Sequence, residues 1–193
     1  MKLKISDLLS LEQYDKQRDN IKKEVISHKK NRTLPIGDNI VLIFEDFLTI
    51  KYQVQEMLRI EKIFSEHEIQ QEIDAYNPLI PDGDNFKATM LIMFPDVEER
   101  KIMLFKLYDI ENKIWIAFDD QKIFANADED LDRSTDDKTS AVHFLRFQLT
   151  QKQVAGFLSS QDIEVGVDHP EYSKKVKLDS YARSNLIADL SSK

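Results

Sequence analysis

The chain has 193 residues, a net charge of −8 and no cysteine. The acidic balance argues against a nucleic-acid-binding protein, because lysine and arginine drive phosphate binding. The lack of cysteine excludes disulfides, cysteine-ligated metal sites and thiol nucleophiles, and it favours a reducing, cytoplasmic setting. The sequence shows neither an apolar run of about 20 residues that could span a bilayer nor a signal-peptide pattern.

The first predicted element is a long helix that begins after Ser10. Ser10 and Gln13 fit a capping box, in which two side chains satisfy the free amides of the first turn. One face carries residues at helical spacing, namely Leu11, Tyr14, Arg18, Ile21, Val25 and His28. A basic group follows, namely Lys22, Lys23, Lys29, Lys30 and Arg32. We interpret it as a solvated face near the helix C-terminus, with nucleic-acid binding as a remote alternative.

The next segments alternate between helical and strand periods. The chain is predicted to break over residues 34–38 and to form a central strand over residues 39–45. Asp46 is the predicted cap of a second helix that extends to about residue 64. A third helix is predicted after Ser65, and a strand over 86–94. A fourth helix is predicted after Asp96, and its predicted inner row is Val97, Lys101, Leu104, Phe105 and Tyr108.

The rest of the chain predicts a hairpin, two strands and two helices. The hairpin covers 114–118 and 121–124, the strands cover 142–149 and 163–167, and the helices follow Thr150 and span 180–190. Residues 125–140 are polar and without periodicity, which indicates a flexible acidic surface loop. Together these elements predict a single α+β domain over 1–193, with residues 1–34 as an N-terminal helical segment. Its sheet is expected to be mixed, largely antiparallel, and of about five or six strands packed with helices.

Charged residues that interrupt apolar rows are the first candidates for a site. Arg18 lies on the inner face of the first helix, and Glu61 is predicted between Leu58 and Phe64 on the inner face of the second. A buried ion needs a partner. The pattern therefore predicts an Arg18–Glu61 ion pair, with ligand binding as the alternative.

A second group of polar residues spans the second and third helices: Glu56, Arg59, His67, Glu68 and Glu72. Glu68 and Glu72 are four residues apart and share a helix face, as the ligands of a carboxylate metal site would. Glu56, Glu72 and His67 are weak metal-ligand candidates, because the Glu-x-x-His pattern of di-iron proteins is missing. The competing interpretation is that acidic residues favour the first turn of a helix.

Asp168 and His169 form the last candidate pair. They end a predicted strand, where side chains often line a cleft, so His169 could act as a base. Adjacent strand residues face opposite sides, which argues against a catalytic pair and leaves a structural turn as the alternative.

Several sequence strings resemble a known bacterial family. The most specific are YQVQEMLRIEKI, IDAYNPLIP and VGVDHPEY, within a likeness that covers roughly residues 3–178. They resemble an uncharacterised family of cytoplasmic proteins classed as a domain of unknown function. Genes of that family lie beside those for rubrerythrin-like di-iron proteins and iron–sulfur oxidoreductases similar to heterodisulfide reductase. The resemblance implies a redox or peroxide-stress setting, but no reaction.

Two functions are compatible with these patterns. The first is a cytoplasmic accessory or binding protein for a rubrerythrin-like or iron–sulfur redox partner, whose polar binding residues would be Arg18, Glu56, Arg59, Glu61, Glu72, Asp168 and His169. The alternative is a metal-dependent enzyme or metal carrier, with Glu56, Glu61 and Glu72 as ligands supplemented by His67 or His169. The sequence itself requires no cofactor.

Overall fold

The computed structural model describes residues 2–127 and 138–191, within which there are six α-helices. They are α1 (Leu11–Lys30), α2 (Phe47–Glu61), α3 (Glu66–Tyr76), α4 (Val97–Lys106), α5 (Gln151–Ser159) and α6 (Ser180–Ser191). Short 3₁₀ helices lie at Ile5–Asp7, Asn77–Leu79 and Ile110–Lys113. The long N-terminal helix and the α+β class are therefore confirmed.

The described strands form two sheets, whereas the sequence predicted one sheet of five or six strands. The strands are β1 (Thr33–Ile36), β2 (Ile40–Phe44), β3 (Asn85–Ile92), β4 (Ile114–Phe118), β5 (Gln121–Phe124), β6 (Asn126–Ala127), β7 (Val142–Gln148), β8 (Ile163–His169) and β9 (Tyr172–Lys177). One sheet has the order β1-β2-β3-β7-β6 and the other β5-β4-β8-β9, with all described pairs antiparallel.

Three strands lie where the sequence predicted none, and one of them, β6, falls within the predicted loop over 125–140. The segment predicted as a break contains β1, which pairs with β2 as an edge strand before Gly37 turns the chain with φ 68°. The chain after His169 returns as β9, which pairs with β8 at the edge of the second sheet. The predicted 114–124 hairpin is confirmed as β4 and β5, with Asp119 in the left-handed region at its turn.

Two helices differ from their predicted extent or orientation. α2 ends at Glu61 rather than near residue 64, because Lys62 adopts a left-handed conformation (φ 57°) that stops the helix. The predicted inner row of α4 is confirmed at Leu104 and wrong at Val97, Phe105 and Tyr108, which are exposed. α4 packs against the core through Met103 and Leu104.

The two sheets share one hydrophobic core. Phe157 of α5 joins them, since its ring centroid lies 4.8 Å from that of Phe86 in β3 and 5.4 Å from that of Phe118 in β4. A second, smaller cluster packs α2 and α3 around Val54, Leu58 and Ile73. The fold therefore places a helical layer built from α1, α2 and α3 beside a core that both sheets line.

The predicted flexible loop over 125–140 lies mostly outside the described residues, which omit 128–137. At its described ends, Asn126–Ala127 pairs with β7, and Thr139 is buried and donates to a carboxylate oxygen of Glu111 at 2.9 Å. Among the described helices, none combines the length and apolar character that a membrane crossing needs.

Candidate functional site

The first candidate residues meet between α1 and α2, where Glu56 is the centre of a polar cluster. Arg18 donates twice to the Glu56 carboxylate, from Nε to Oε1 at 2.7 Å and from Nη2 to Oε2 at 2.8 Å. The Tyr14 hydroxyl donates to Oε1 at 2.6 Å, and Arg59 Nε lies 3.5 Å from the same oxygen. Hydrogen bonds from Arg18 lower the pKa of Glu56 to about 2, with Tyr14 adding to the effect. A carboxylate held this way stays ionised and fixes α1 against α2.

The predicted Arg18–Glu61 ion pair is therefore wrong. Arg18 binds Glu56, and Glu61 is exposed because α2 ends there instead of continuing inward. Glu61 faces Glu72 of α3. Burial raises the pKa of Glu72 above its ordinary value, and the negative charge of Glu61 adds to the rise. The negative charge of Glu61 therefore acts on Glu72 across the α2–α3 turn.

The structure separates the three metal-ligand candidates by environment. Glu56 is bound by Arg18 and Tyr14, Glu72 faces Glu61, and His67 is exposed on the first turn of α3. Within residues 2–127 and 138–191, no three histidine, aspartate or glutamate side chains are grouped so that they could hold a metal ion. Of the three metal-ligand candidates, Glu56 is therefore the one whose negative charge is balanced by hydrogen-bond donors of the protein itself.

Asp168 and His169 have separate partners, as their alternation along β8 implies. Asp168 accepts from Lys122 at 2.7 Å, and this hydrogen bond lowers the pKa of Asp168. His169 is buried. Its Nε2–H donates to the Tyr108 carbonyl at 3.0 Å, while its Nδ1 accepts from the Glu171 amide at 3.1 Å. His169 therefore ties the β8–β9 turn to the segment that follows α4.

That segment belongs to an apolar surface formed by α4, which we define as Val97, Ile102, Phe105 and Tyr108. Ile102 is 58% exposed and Phe105 is 64% exposed, and their spacing of three residues places them side by side on the outer face. Every residue of α4 is at least partly exposed. The helix is nevertheless fixed in place. Arg100 donates to the Phe94 carbonyl at 3.3 Å, and the Thr139 amide donates to the Leu104 carbonyl at 3.1 Å.

A buried ionic group at the end of α1 was not predicted from the sequence. Arg32, interpreted above as part of a solvated basic face, is only 3% exposed. Its guanidinium donates to the carbonyl oxygens of Phe44 and Glu45 and to Asp189 of α6, and it lies 3.4 Å from Asp46. An isolated arginine that follows a lysine-rich turn gives no signal of burial, because the sequence does not show where its partners lie.

The same group contains His28 and two carboxylates of different acidity. His28 Nε2 donates to Asp46 at 2.5 Å, and Asp46 also caps α2 through the Thr49 amide. Burial would raise the pKa of Asp46, but Arg32, Thr49 and His28 together hold it below its ordinary value. Burial raises the pKa of Asp189 to about 6, against the attraction of Arg32. Asp46 has three stabilising neighbours, namely Arg32, Thr49 and His28, whereas Asp189 depends mainly on Arg32.

Comparison with known proteins identifies relatives but no activity. A family model described as a protein of unknown function (DUF3501) matches residues 2–190. A crystal structure of a novel protein of unknown function from Burkholderia pseudomallei K96243 is 44% identical, with a TM-score of 0.92 over 98% of this chain and 100% of that one. None of the curated proteins matches the chain.

Proposed function

This chain belongs to the DUF3501 family, whose description states no function. From the surface of the chain itself we propose that it is an accessory protein that binds a redox partner in the cytoplasm. The partner class is a rubrerythrin-like or iron–sulfur protein. The resemblance of the chain's sequence strings to a family encoded beside such proteins supports that class. The reducing, cytoplasmic setting expected from the composition belongs to the same proposal.

The observation that carries the proposal is the outward position of Ile102 and Phe105 on α4. Both side chains are more than half exposed, although water disfavours apolar surface by about 25 cal/mol per Å². Grouped exposed apolar side chains are typical of protein interaction surfaces, and phenylalanine is enriched in the cores of such interfaces. A helix that presents this face can lie in an apolar groove of a partner.

The way α4 is held also supports docking. Its inner residues Met103 and Leu104 pack on the shared core, and His169 binds the Tyr108 carbonyl at the helix exit. A helix fixed at both ends loses little further freedom when a partner binds, which favours affinity. His169, a candidate from the sequence, would on this proposal position the docking surface without touching the partner.

Charge would act at longer range. The chain carries a net charge of −8, so a partner with a basic surface would associate faster, and the rate would fall as salt is added. The proposal therefore combines apolar contact at α4 with electrostatic attraction between the whole molecules.

The proposal is tested by measuring binding of the purified chain to a rubrerythrin-like protein and to a heterodisulfide-reductase-like iron–sulfur protein from the same organism. We expect one of them to bind, and the Ile102→Glu/Phe105→Glu variant to weaken that binding at least about tenfold. Phe64→Glu is the matched control, since Phe64 is 73% exposed and lies away from α4, beyond the end of α2.

Two results would contradict the proposal in different ways. Failure of the wild-type chain to bind either protein would reject the partner class. Binding that the Ile102→Glu/Phe105→Glu variant retains, or that Phe64→Glu weakens equally, would reject the α4 surface.

A further inference from the structure

A cavity of about 330 Å³ lies where α1 ends, α2 begins and α6 passes. Its polar lining is the ionic group of His28, Arg32, Asp46 and Asp189, together with Asn185. Its apolar lining is Phe47, Leu48, Ile80, Pro81 and Ala188. The volume is at the lower end of the roughly 300–1,000 Å³ typical of small-molecule sites, and apolar walls around a few polar groups are typical of them too.

The positive charge at this cavity is already engaged by the protein. The Arg32 guanidinium donates to two backbone carbonyls and to Asp189, and its remaining nitrogen faces Asp46. Nε2 of His28 is likewise engaged by Asp46. An anionic ligand would therefore meet two carboxylates and find the donors of Arg32 occupied, which disfavours phosphates and carboxylates as its occupants.

Acceptors, by contrast, remain available on α6. Asn185 and Asp189 are four residues, or about one helical turn, apart, and both line the cavity. Asp189 receives Arg32 at Oδ2, and in the described part of the chain its Oδ1 has no donor. Asn185 donates through Nδ2 to the carbonyls of Asn31 and Tyr181, and none of the described residues donates to its Oδ1. Both oxygens are therefore acceptors that a donor bound in the cavity could use.

We propose that this cavity binds a small organic ammonium compound, whose charged head donates to Oδ1 of Asp189 and Oδ1 of Asn185. Its apolar body lies against Phe47, Leu48, Ile80 and Pro81. The head would donate to acceptors that no described residue uses, one of them a carboxylate oxygen, and the body would replace water on the apolar walls. This site does not depend on the α4 surface, because it is built from other elements.

The test uses three probes that share one hydrocarbon chain and differ only in the head: hexylammonium, hexanol and hexanoate. Binding to the full chain is measured at pH 7.5 by calorimetry and by NMR. We expect hexylammonium to bind in the millimolar range or tighter, and hexanol at least about tenfold more weakly. Hexanoate should bind most weakly of the three.

Variants separate the role of the head from that of the walls. Asp189→Asn should remove the preference for hexylammonium over hexanol. Asp162→Asn, which removes the same charge from an exposed ion pair with Lys177, should leave the preference unchanged. Ala188→Leu adds volume on the α6 wall without changing charge, so it should weaken hexylammonium and hexanol by the same factor.

Circular dichroism and thermal melting confirm that each variant is folded before its binding is measured, and Ala188→Leu provides an independent test if Asp189→Asn does not fold. The proposal is overturned if the folded wild-type chain binds hexylammonium no better than hexanol or hexanoate. It is overturned equally if Ala188→Leu leaves hexylammonium binding intact, since the probe would then lie elsewhere.

Discussion

Glu56 shows how one residue can join two helices at their polar edge. Its carboxylate accepts from Arg18 and from the Tyr14 hydroxyl, so a charge that would be unfavourable at a helix contact has donors on both oxygens. Tyr14 is only 1% exposed, and its hydroxyl finds this carboxylate in a mostly apolar contact. The hydrogen bond between Tyr14 and Glu56 therefore joins the two helices, and it also gives the hydroxyl of a buried aromatic side chain a partner.

Removing that hydroxyl should lower the stability of the fold. We expect Tyr14→Phe to reduce the free energy of unfolding by about 1–3 kcal/mol, because a hydrogen bond to a charged group is lost at a buried position. Urea unfolding measures the change. Tyr181→Phe is the control, since Tyr181 is 73% exposed and should change stability little. Equal effects of the two substitutions would show that the hydroxyl–Glu56 contact contributes nothing.

The raised pKa of Asp189 makes its contribution to the free energy of unfolding depend on pH with a sign opposite to that of an ordinary ion-paired aspartate. Burial raises its pKa in the folded state from 3.8 to about 6, with Arg32, Asp46 and His28 as the charged groups that face it. Folding therefore favours the protonated form. The resulting stability is fully present below pH 3.8 and is lost as the pH rises through about 6.

Asp189→Asn should remove this dependence. The stability of the wild-type chain relative to Asp189→Asn should increase by about 2 kcal/mol between pH 7 and pH 4. Urea unfolding of both proteins at each pH unit measures the difference, in which the titration of Glu56 and other shared groups largely cancels. A difference that is flat, or that falls towards pH 4, would contradict the assigned direction.

At the scale of elements, signals within a few residues of each other predicted structure well. The caps Ser10, Asp46, Ser65, Asp96 and Thr150 each accept from the amide three residues on, as their sequence patterns indicated. β1 and β9 were missed because Pro35 and the lysines of β9 weaken the strand pattern. Both features are typical of edge strands, which must avoid pairing with other chains.

Structural features that depend on contacts between residues distant in the sequence were not predictable. Helical spacing placed Arg18 on the inner face of α1, but it could not show that Glu56 rather than Glu61 lies opposite. The end of α2 depends on a left-handed Lys62, which no sequence rule required. α4 has apolar residues on two sides, so its periodicity could not show which side packs inward.

Gly166 of β8 gives a test at this scale. It pairs with Trp115 of β4, whose ring lies over it. A Cβ at this position would stand 2.8 Å from Cε2 and Cη2 of the ring and closer still to Cζ2. We expect Gly166→Ala to lower the free energy of unfolding by about 1–3 kcal/mol, because the buried indole must move. Chemical denaturation measures the loss.

The same substitution in a Trp115→Phe background should be less damaging, because phenylalanine lacks the ring atoms that the new methyl group would meet. An identical loss in both backgrounds would show that the effect comes from the backbone of β8 rather than from the ring.

At the scale of the whole molecule, the shared core predicts cooperative unfolding. Phe157 contacts Phe86 in one sheet and Phe118 in the other, so neither sheet keeps its core when the other unfolds. The fluorescence of the single tryptophan, Trp115, reports on the four-stranded sheet, and far-ultraviolet circular dichroism reports on the secondary structure of the whole chain. We expect both signals to change at the same urea concentration. Separate midpoints would contradict a single domain over 1–193.

The pairing of Arg32 with Asp189 also has a consequence for the order in which the chain is made. The two residues are 157 positions apart. At a synthesis rate of about 5–20 residues per second, roughly 8–30 seconds pass between their appearance on the ribosome. During that interval the guanidinium lacks the carboxylate that accompanies its burial. Its partners among the earlier residues are Asp46 and the carbonyls of Phe44 and Glu45, and the last helix adds the second carboxylate.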